Sequence, residues 1–209
     1  LDLRGLPPGL LDPGAYANKP DGYARFAEAV VGADGLHVVT PEYNGGPPGV
    51  LKLFIDHLPF PESFERRPVC FTGLSAGRFG ALRPVEQLQA IFGYRNALQY
   101  PDRVFIPGIG KALGEDGWPR EDFVGGLPAR QGGGFVAFAR AGAPVRWAVR
   151  RARSSMRPGA PAPAPWARAQ TTRRTAAPGR RSDPVGLADV MEQARTGACA
   201  LVVDVCEAS

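Results

Sequence analysis

The chain has 209 residues, 44% of them hydrophobic and 22% charged, with a formal net charge of +5. That is enough apolar material for one α/β domain with a buried core, and it excludes a wholly disordered chain. No apolar run approaches the roughly 18 residues that span a bilayer, the start lacks the basic-then-apolar layout of a signal peptide, and Cys70, Cys199 and Cys206 form neither a CxxC pair nor a disulfide framework, so a cytoplasmic protein is expected.

In chain order, residues 1–4 read as the end of a strand running into a Pro/Gly loop that continues to about Asp21. Residues 21–31 predict a helix with Tyr23, Phe26, Ala27 and Val30 on one face and Asp21 as its cap. The apolar run at residues 36–39 predicts a buried strand, which empties at Thr40-Pro41 into a loop of Glu42, Tyr43, Asn44, Gly45 and Gly46. After Pro47-Pro48-Gly49 the apolar positions Val50, Leu51, Phe54, Ile55 and Leu58 recur at helical spacing. Strand, polar loop and helix make half of a βαβ unit. Ligands of open parallel sheets sit beyond the carboxyl ends of the strands, which is where this loop falls.

Residues 68–74 predict the next strand, in which Cys70 is expected as a small buried hydrophobe, and residues 75–80 predict the loop after it. Residues 82–94 predict a helix with Leu82, Val85, Leu88, Ile91 and Phe92 inward and Pro84 tolerated in the first turn. A third strand is expected over residues 100–106. A last helix over 121–141 is interrupted on paper by Gly125-Gly126, Pro128 and Gly132-Gly133-Gly134. The expected organisation is therefore a domain over residues 1–141, an Arg/Pro/Ala-rich disordered linker over 142–184 carrying at most a short helix at 145–153, and a helix (185–194) plus strand (198–205) within 185–209.

The basicity belongs to the tail. Residues 1–141 hold 14 Lys or Arg against 15 Asp or Glu, a net of −1, whereas residues 142–209 hold 11 Arg against 5 acids, a net of +6. Nucleic-acid binding by the folded part is therefore not indicated, and no aromatic residues interleave with the arginines of 171–181, Trp166 being the nearest ring.

The stretch Pro41-Glu42-Tyr43-Asn44-Gly45-Gly46-Pro47-Pro48-Gly49-Val50-Leu51-Lys52, running on to Ile55-Asp56, resembles the NADPH-dependent FMN reductases of flavodoxin-like fold. A second stretch, Ser75-Ala76-Gly77-Arg78-Phe79-Gly80-Ala81-Leu82-Arg83, is similar to that family's other flavin loop. The resemblance covers roughly residues 1–141. It implies a three-layer αβα fold around a parallel sheet, lacking the family's first strand and Gly-Ser-rich phosphate loop and carrying an irregular C-terminal extension. Without that first strand the 36–39 strand is an uncovered apolar edge, for which the 198–205 strand is the candidate cover.

By resemblance the chain is an NAD(P)H-dependent oxidoreductase that passes hydride through FMN to a flavin, quinone or similar small acceptor, and the helix from Val50 to Leu58 faces a partner subunit in a homodimer. Pro41, Glu42, Tyr43, Asn44 and Gly45 would wall and hydrogen-bond the flavin ring, while Ser75, Ala76 and Gly77 would offer backbone N–H groups to its pyrimidine edge. Arg78 would approach a phosphate, or else is a solvated loop arginine. Lys52 and Asp56, four apart on a helix, are an interface pair or a surface pair. His37 and His57 have no second His or Cys at ligand spacing, which argues against a metal. Two other classes stay open: a dimerising module that no longer holds FMN, and a basic-tail binder of polyanions.

Overall fold

A computed structural model describes residues 1–114, 120, 126–155 and 200–203, with side chains through residue 142. Five parallel strands form one sheet: β1 (Leu36–Pro41), β2 (Pro68–Leu74), β3 (Leu98–Gln99), β4 (Val104–Ile106) and β5 (Ala200–Val203). The order is β3-β2-β1-β5, with β4 pairing β2 beyond β3. Helices α1 (Ala24–Gly32), α2 (Gly49–His57) and α3 (Leu82–Tyr94) share one core, a short α4 (Ile109–Ala112) follows β4, and α5 spans Leu127–Ser155.

Alternation along the strands makes this a layered structure. Leu36 and Val38 of β1 and Val69 and Phe71 of β2 join the core with Phe26, Phe54, Leu88 and Phe92 of α1–α3. The intervening residues face the other way: Cys70 packs with Phe135 of α5, and the His37 ring lies 6.4 Å from that of Phe135. Both faces of a parallel sheet are thus covered, which is why β1 and β2 are largely apolar and buried nearly throughout, their polar members His37 and Thr72 included. The expected burial of Cys70 holds.

A buried polar chain pins α5 to the sheet. The Thr72 hydroxyl donates to Gln131 Oε1 at 2.7 Å, and Gln131 Nε2 donates to the carbonyls of Phe71 and Asp102 at 2.8 and 2.9 Å. His37 Nε2 lies 2.8 Å from the same Thr72 hydroxyl oxygen. Across the sheet, the buried Arg67 guanidinium donates to the carbonyls of Ala33, Val31 and Glu62, closing the C-terminal end of α1.

Several expected elements are revised. Residues 1–4 are not a strand end: the Asp2 carboxylate accepts from Arg4 N at 2.9 Å and winds Leu3–Gly5 into a 3₁₀ turn anchored by buried Leu3. Asp21 does not cap α1, which begins at Ala24 with Tyr23 at the cap position, because Gly22 turns the chain at φ +80° between them. The strand expected over 100–106 is shortened to β4 at Val104–Ile106, and a separate two-residue strand, β3, precedes it at Leu98–Gln99, Pro101 having no N–H to continue the ladder between them. Both pair with β2. Helix α5 is not broken at its glycines: Pro128 is its second residue, where a missing N–H is harmless, and Gly134 is required because a Cβ there would lie 2.0 Å from Tyr100 Oη. The helix also crosses residue 142 and takes in the short helix expected at 145–153, so the first part of the expected disordered linker is helical. The expected helix at 185–194 and the linker beyond residue 155 lie outside the described residues.

The C-terminal strand does join the sheet. Leu36, His37, Val38 and Val39 pair in parallel with Ala200, Leu201, Val202 and Val203, so β5 covers the edge of β1.

Candidate functional site

Strands β1 and β2 end level: Pro41 is the register partner of Leu74. Adjacent strands lie about 4.8 Å apart, so the loop of residues 42–48 and the loop of residues 75–81 leave the sheet side by side. All nine residues expected at a site, Pro41, Glu42, Tyr43, Asn44, Gly45, Ser75, Ala76, Gly77 and Arg78, lie on this one edge.

The first loop is a tight turn. Tyr43 and Gly46 exchange two backbone hydrogen bonds of 3.0 Å, with Asn44 at φ +51° and Gly45 at φ +76° between them. Two central residues at positive φ are the mark of a primed turn, which Asn-Gly adopts with little strain. It leaves the Tyr43 ring 45% exposed at the loop's tip. Helix α3 holds the turn in place: Gln87 Nε2 donates to Gly45 O at 2.9 Å, and Arg83 Nη1 lies 3.7 Å from Glu42 Oε1. Glu42 is thereby a largely covered carboxylate, its side chain 17% exposed, while Arg83 is open to solvent.

The second loop folds back over the end of β2. A Cβ on Gly73 would meet Gly80 O at 2.4 Å, and Gly80, at φ +58°, lies against the backbone of Phe105 and Ile106. The segment after β4 supports it from behind. Ser75 N donates to Ile106 O at 3.1 Å, Ile109 N to Ser75 O at 2.9 Å and Gly108 N to Gly77 O at 3.2 Å, while the Ser75 hydroxyl donates to Gly77 O at 3.0 Å. The carbonyls of Ser75 and Gly77 are thus taken up, and Ala76, Gly77 and Arg78 stand exposed with backbone N–H groups that donate to no described residue. Arg78 reaches the exposed ring of Phe79, 5.5 Å from its centroid.

Such an edge can hold a flat, acceptor-rich group: an aromatic wall and a covered carboxylate on one side, free backbone donors on the other. Two supports escaped the sequence reading, Gln87 and the 106–109 segment, and Arg83, which ends the 75–83 stretch, was given no role there. Arg83 and Gln87 stand four apart on the exposed side of α3, a spacing that marks a shared helix face but not what that face meets. Among the described residues no three His, Cys, Asp or Glu side chains converge as a metal site.

A model of the family described as NADPH-dependent FMN reductase matches residues 1–111. The chain is 41% identical over 85 residues to an NAD(P)H-dependent FMN reductase of Pseudomonas aeruginosa, a stretch that makes up 39% of this chain and 45% of that protein. It is 33% identical over 97 residues to a 2-hydroxy-1,4-benzoquinone reductase of a Burkholderia species, covering 45% of this chain and 52% of that one. The chain thus spans about half the length of the curated relatives it matches. Among solved structures, a flavoenzyme NAD(P)H:acceptor oxidoreductase of Paracoccus denitrificans superposes with a TM-score of 0.51 at 24% identity over 68% of this chain and 75% of its own, which shows the shared flavodoxin-like fold.

Proposed function

The chain belongs to the NADPH-dependent FMN reductase family, and from that premise we propose that the paired loops at the ends of β1 and β2 hold the isoalloxazine ring of FMN in an NAD(P)H-dependent reductase of flavins, quinones or similar small acceptors. The observation that carries this reading is the side-by-side exit of the two loops, one fixed by Gln87 and Arg83, the other presenting the free N–H groups of Ala76, Gly77 and Arg78. When bound, FMN supplies the chemistry, accepting a hydride from a nicotinamide and yielding it to an acceptor.

The chain's own residues bind and orient. Pro41 and Tyr43 form a wall, and Glu42, Asn44 and Gly45 offer polar atoms to the ring edge. The N–H groups beside Ser75 stabilise negative charge at the pyrimidine edge without reorganising, because the carbonyls of Ser75 and Gly77 already hold the loop by hydrogen bonds. The quinone substrate in the name of the Burkholderia relative and the FMN in that of the Pseudomonas relative support this acceptor class. We also assign the face of α2 bearing Val50, 37% exposed, and the Lys52–Asp56 pair at 2.6 Å to a homodimer interface. The dependence on NAD(P)H supports a place in the cytoplasm.

Titration of FMN into the protein, followed by flavin fluorescence, tests the site. Saturable quenching is expected, with riboflavin binding nearly as well through the same ring contacts. Gln87→Ala, which frees the 43–46 turn, should weaken both about tenfold, the worth of one well-placed hydrogen bond to an ordered loop. Absence of saturation, or indifference to Gln87→Ala, would overturn the assignment.

A further inference from the structure

A second concavity lies elsewhere on the helical layer. It has a volume of about 670 Å³ and is walled by residues that precede and begin α1, by the C-terminal end of α2 and by the end of α3. None of its lining residues belongs to the 42–48 or 75–81 loops. Arg95, on its wall, follows Arg83 by twelve residues along α3, roughly 18 Å at 1.5 Å per residue. The volume is in the range of small-molecule sites.

The lining combines aromatic surface with donors that have nothing to donate to. Tyr16 and Phe60 are 64% and 57% exposed, large for rings on a folded surface. The Arg95 guanidinium lies over the rings of Phe60 at 4.6 Å and Tyr94 at 5.6 Å, and makes no ion pair among the described residues. Tyr23, also on the wall, is 2% exposed, and its hydroxyl is buried with no hydrogen-bond partner among the described residues. Burial pushes that phenol up to about 12, so it remains a proton donor. An unmet buried hydroxyl carries a desolvation cost, which an acceptor from outside would offset.

The charges on the wall lean positive. Lys19 Nζ donates to the carbonyls of Ala15 and Tyr16 and to His57 Nδ1 at 3.0 Å, so His57 is a neutral imidazole with its proton on Nε2. Burial first, and Lys19 second, hold His57 below the usual histidine range. Of the two acids, Asp56 is engaged through both oxygens by Lys52 at 2.6 and 2.7 Å, leaving Asp21 against Lys19 and Arg95.

We propose that this cavity is a binding site for a small aromatic carboxylate, its ring lying against Tyr16 and Phe60 and its carboxylate meeting Arg95 and the Tyr23 hydroxyl. A carboxylate is acceptor-only, which suits donors lacking acceptors, and a planar ring suits a wall of aromatic edges and faces.

Benzoate is the probe, titrated against the full chain by isothermal calorimetry and by ligand-observed NMR. Saturable binding is expected with a dissociation constant on the order of 1 mM or tighter for nine heavy atoms. Benzamide, the neutral isostere, should bind about tenfold more weakly or worse. Arg95→Gln and the near-isosteric Tyr23→Phe should each weaken benzoate about tenfold, with unfolding curves confirming that both variants fold. Saturating FMN should leave the benzoate affinity unchanged. No saturation by about 10 mM, a free energy too small for a built site, would overturn the proposal, as would equal binding of benzamide, indifference of both variants or displacement by FMN.

Discussion

His37 shows how one buried side chain sets the pH range over which the fold is secure. The Thr72 hydroxyl has a single proton, and it is given to Gln131; the 2.8 Å contact therefore requires His37 Nε2 to donate, which fixes the neutral Nε2–H tautomer. Its Nδ1 is buried without a partner among the described residues, and burial lowers the group from its ordinary 6.5 to about 4. The sign follows: below about pH 6.5 the unfolded chain takes up a proton that the native state refuses, so stability is full above that pH and declines as pH falls toward 4. The gap corresponds to about 3 kcal/mol at 1.36 kcal/mol per pH unit. Urea midpoints measured between pH 7.5 and 4.5 should fall steeply for the parent and much less for His37→Asn. His57, the chain's other histidine, is also lowered and contributes with the same sign in both proteins, so the difference isolates His37. Parallel curves would remove His37 from the account. Nothing in the sequence marked this role, since a histidine in an apolar run looks the same whether it is bonded to a neighbouring strand or idle. Arg66-Arg67 teaches the same limit, for one of these adjacent arginines is exposed and the other closes the end of α1 from inside the core.

At the scale of elements, the legible features were those set by local periodicity and turn chemistry. The apolar run of β1 with its Asn-Gly turn, the three-and-four spacing of α2 and α3, and the strand–loop–helix order that puts the site at the sheet's edge could all be read directly, because each depends on residues near one another in sequence. Local preference misled where distant packing decided. Three consecutive glycines argue against a helix, yet α5 runs through Gly132-Gly133-Gly134, and the Tyr100 ring, tilted against those of Phe135 at 5.9 Å and Phe138 at 5.4 Å, occupies the place of a side chain at 134. The two effects predict opposite signs for Gly134→Ala. Helix propensity alone would stabilise by about 1 kcal/mol, whereas a Cβ 2.0 Å from Tyr100 Oη and 3.0 Å from Cζ forces the ring or the helix to shift, at about 1–3 kcal/mol. Net destabilisation is expected in chemical denaturation, partly relieved by Tyr100→Phe. A more stable Gly134→Ala protein would mean that α5 does not press on Tyr100 as described. Sequence reading likewise marked both loop segments of the proposed site but not their bracing, because the partners Gln87 and Ile106 are set by how α3 and β4 dock on the sheet.

For the whole molecule, the decisive contact joins the last described segment to the first strand of the sheet. Among the described strands, β5 is what lies along the outer side of β1, pairing over four residues in parallel. Its strand character was legible from Ala200-Leu201-Val202-Val203, and its partner was inferred from need: an apolar edge such as Val38-Val39 is a template for another chain unless something covers it. A ladder formed across some 160 residues of sequence must overcome the entropy of closing that loop, so it forms late and contributes mainly after the rest of the sheet exists. Val202→Pro in the full chain removes a backbone donor and rigidifies φ in the middle of β5, breaking the pairing without shortening the protein. The variant should retain the helical circular dichroism of the layers built on β1 and β2, unfold at lower denaturant by about 1–3 kcal/mol, and show concentration-dependent association by light scattering. The second effect is the discriminating one, since a merely weakened monomer would lose stability at every concentration alike, whereas an uncovered β1 edge finds its replacement strand on a second molecule. A Val202→Pro protein as stable and as monodisperse as its parent would show that β1 is covered by something other than β5.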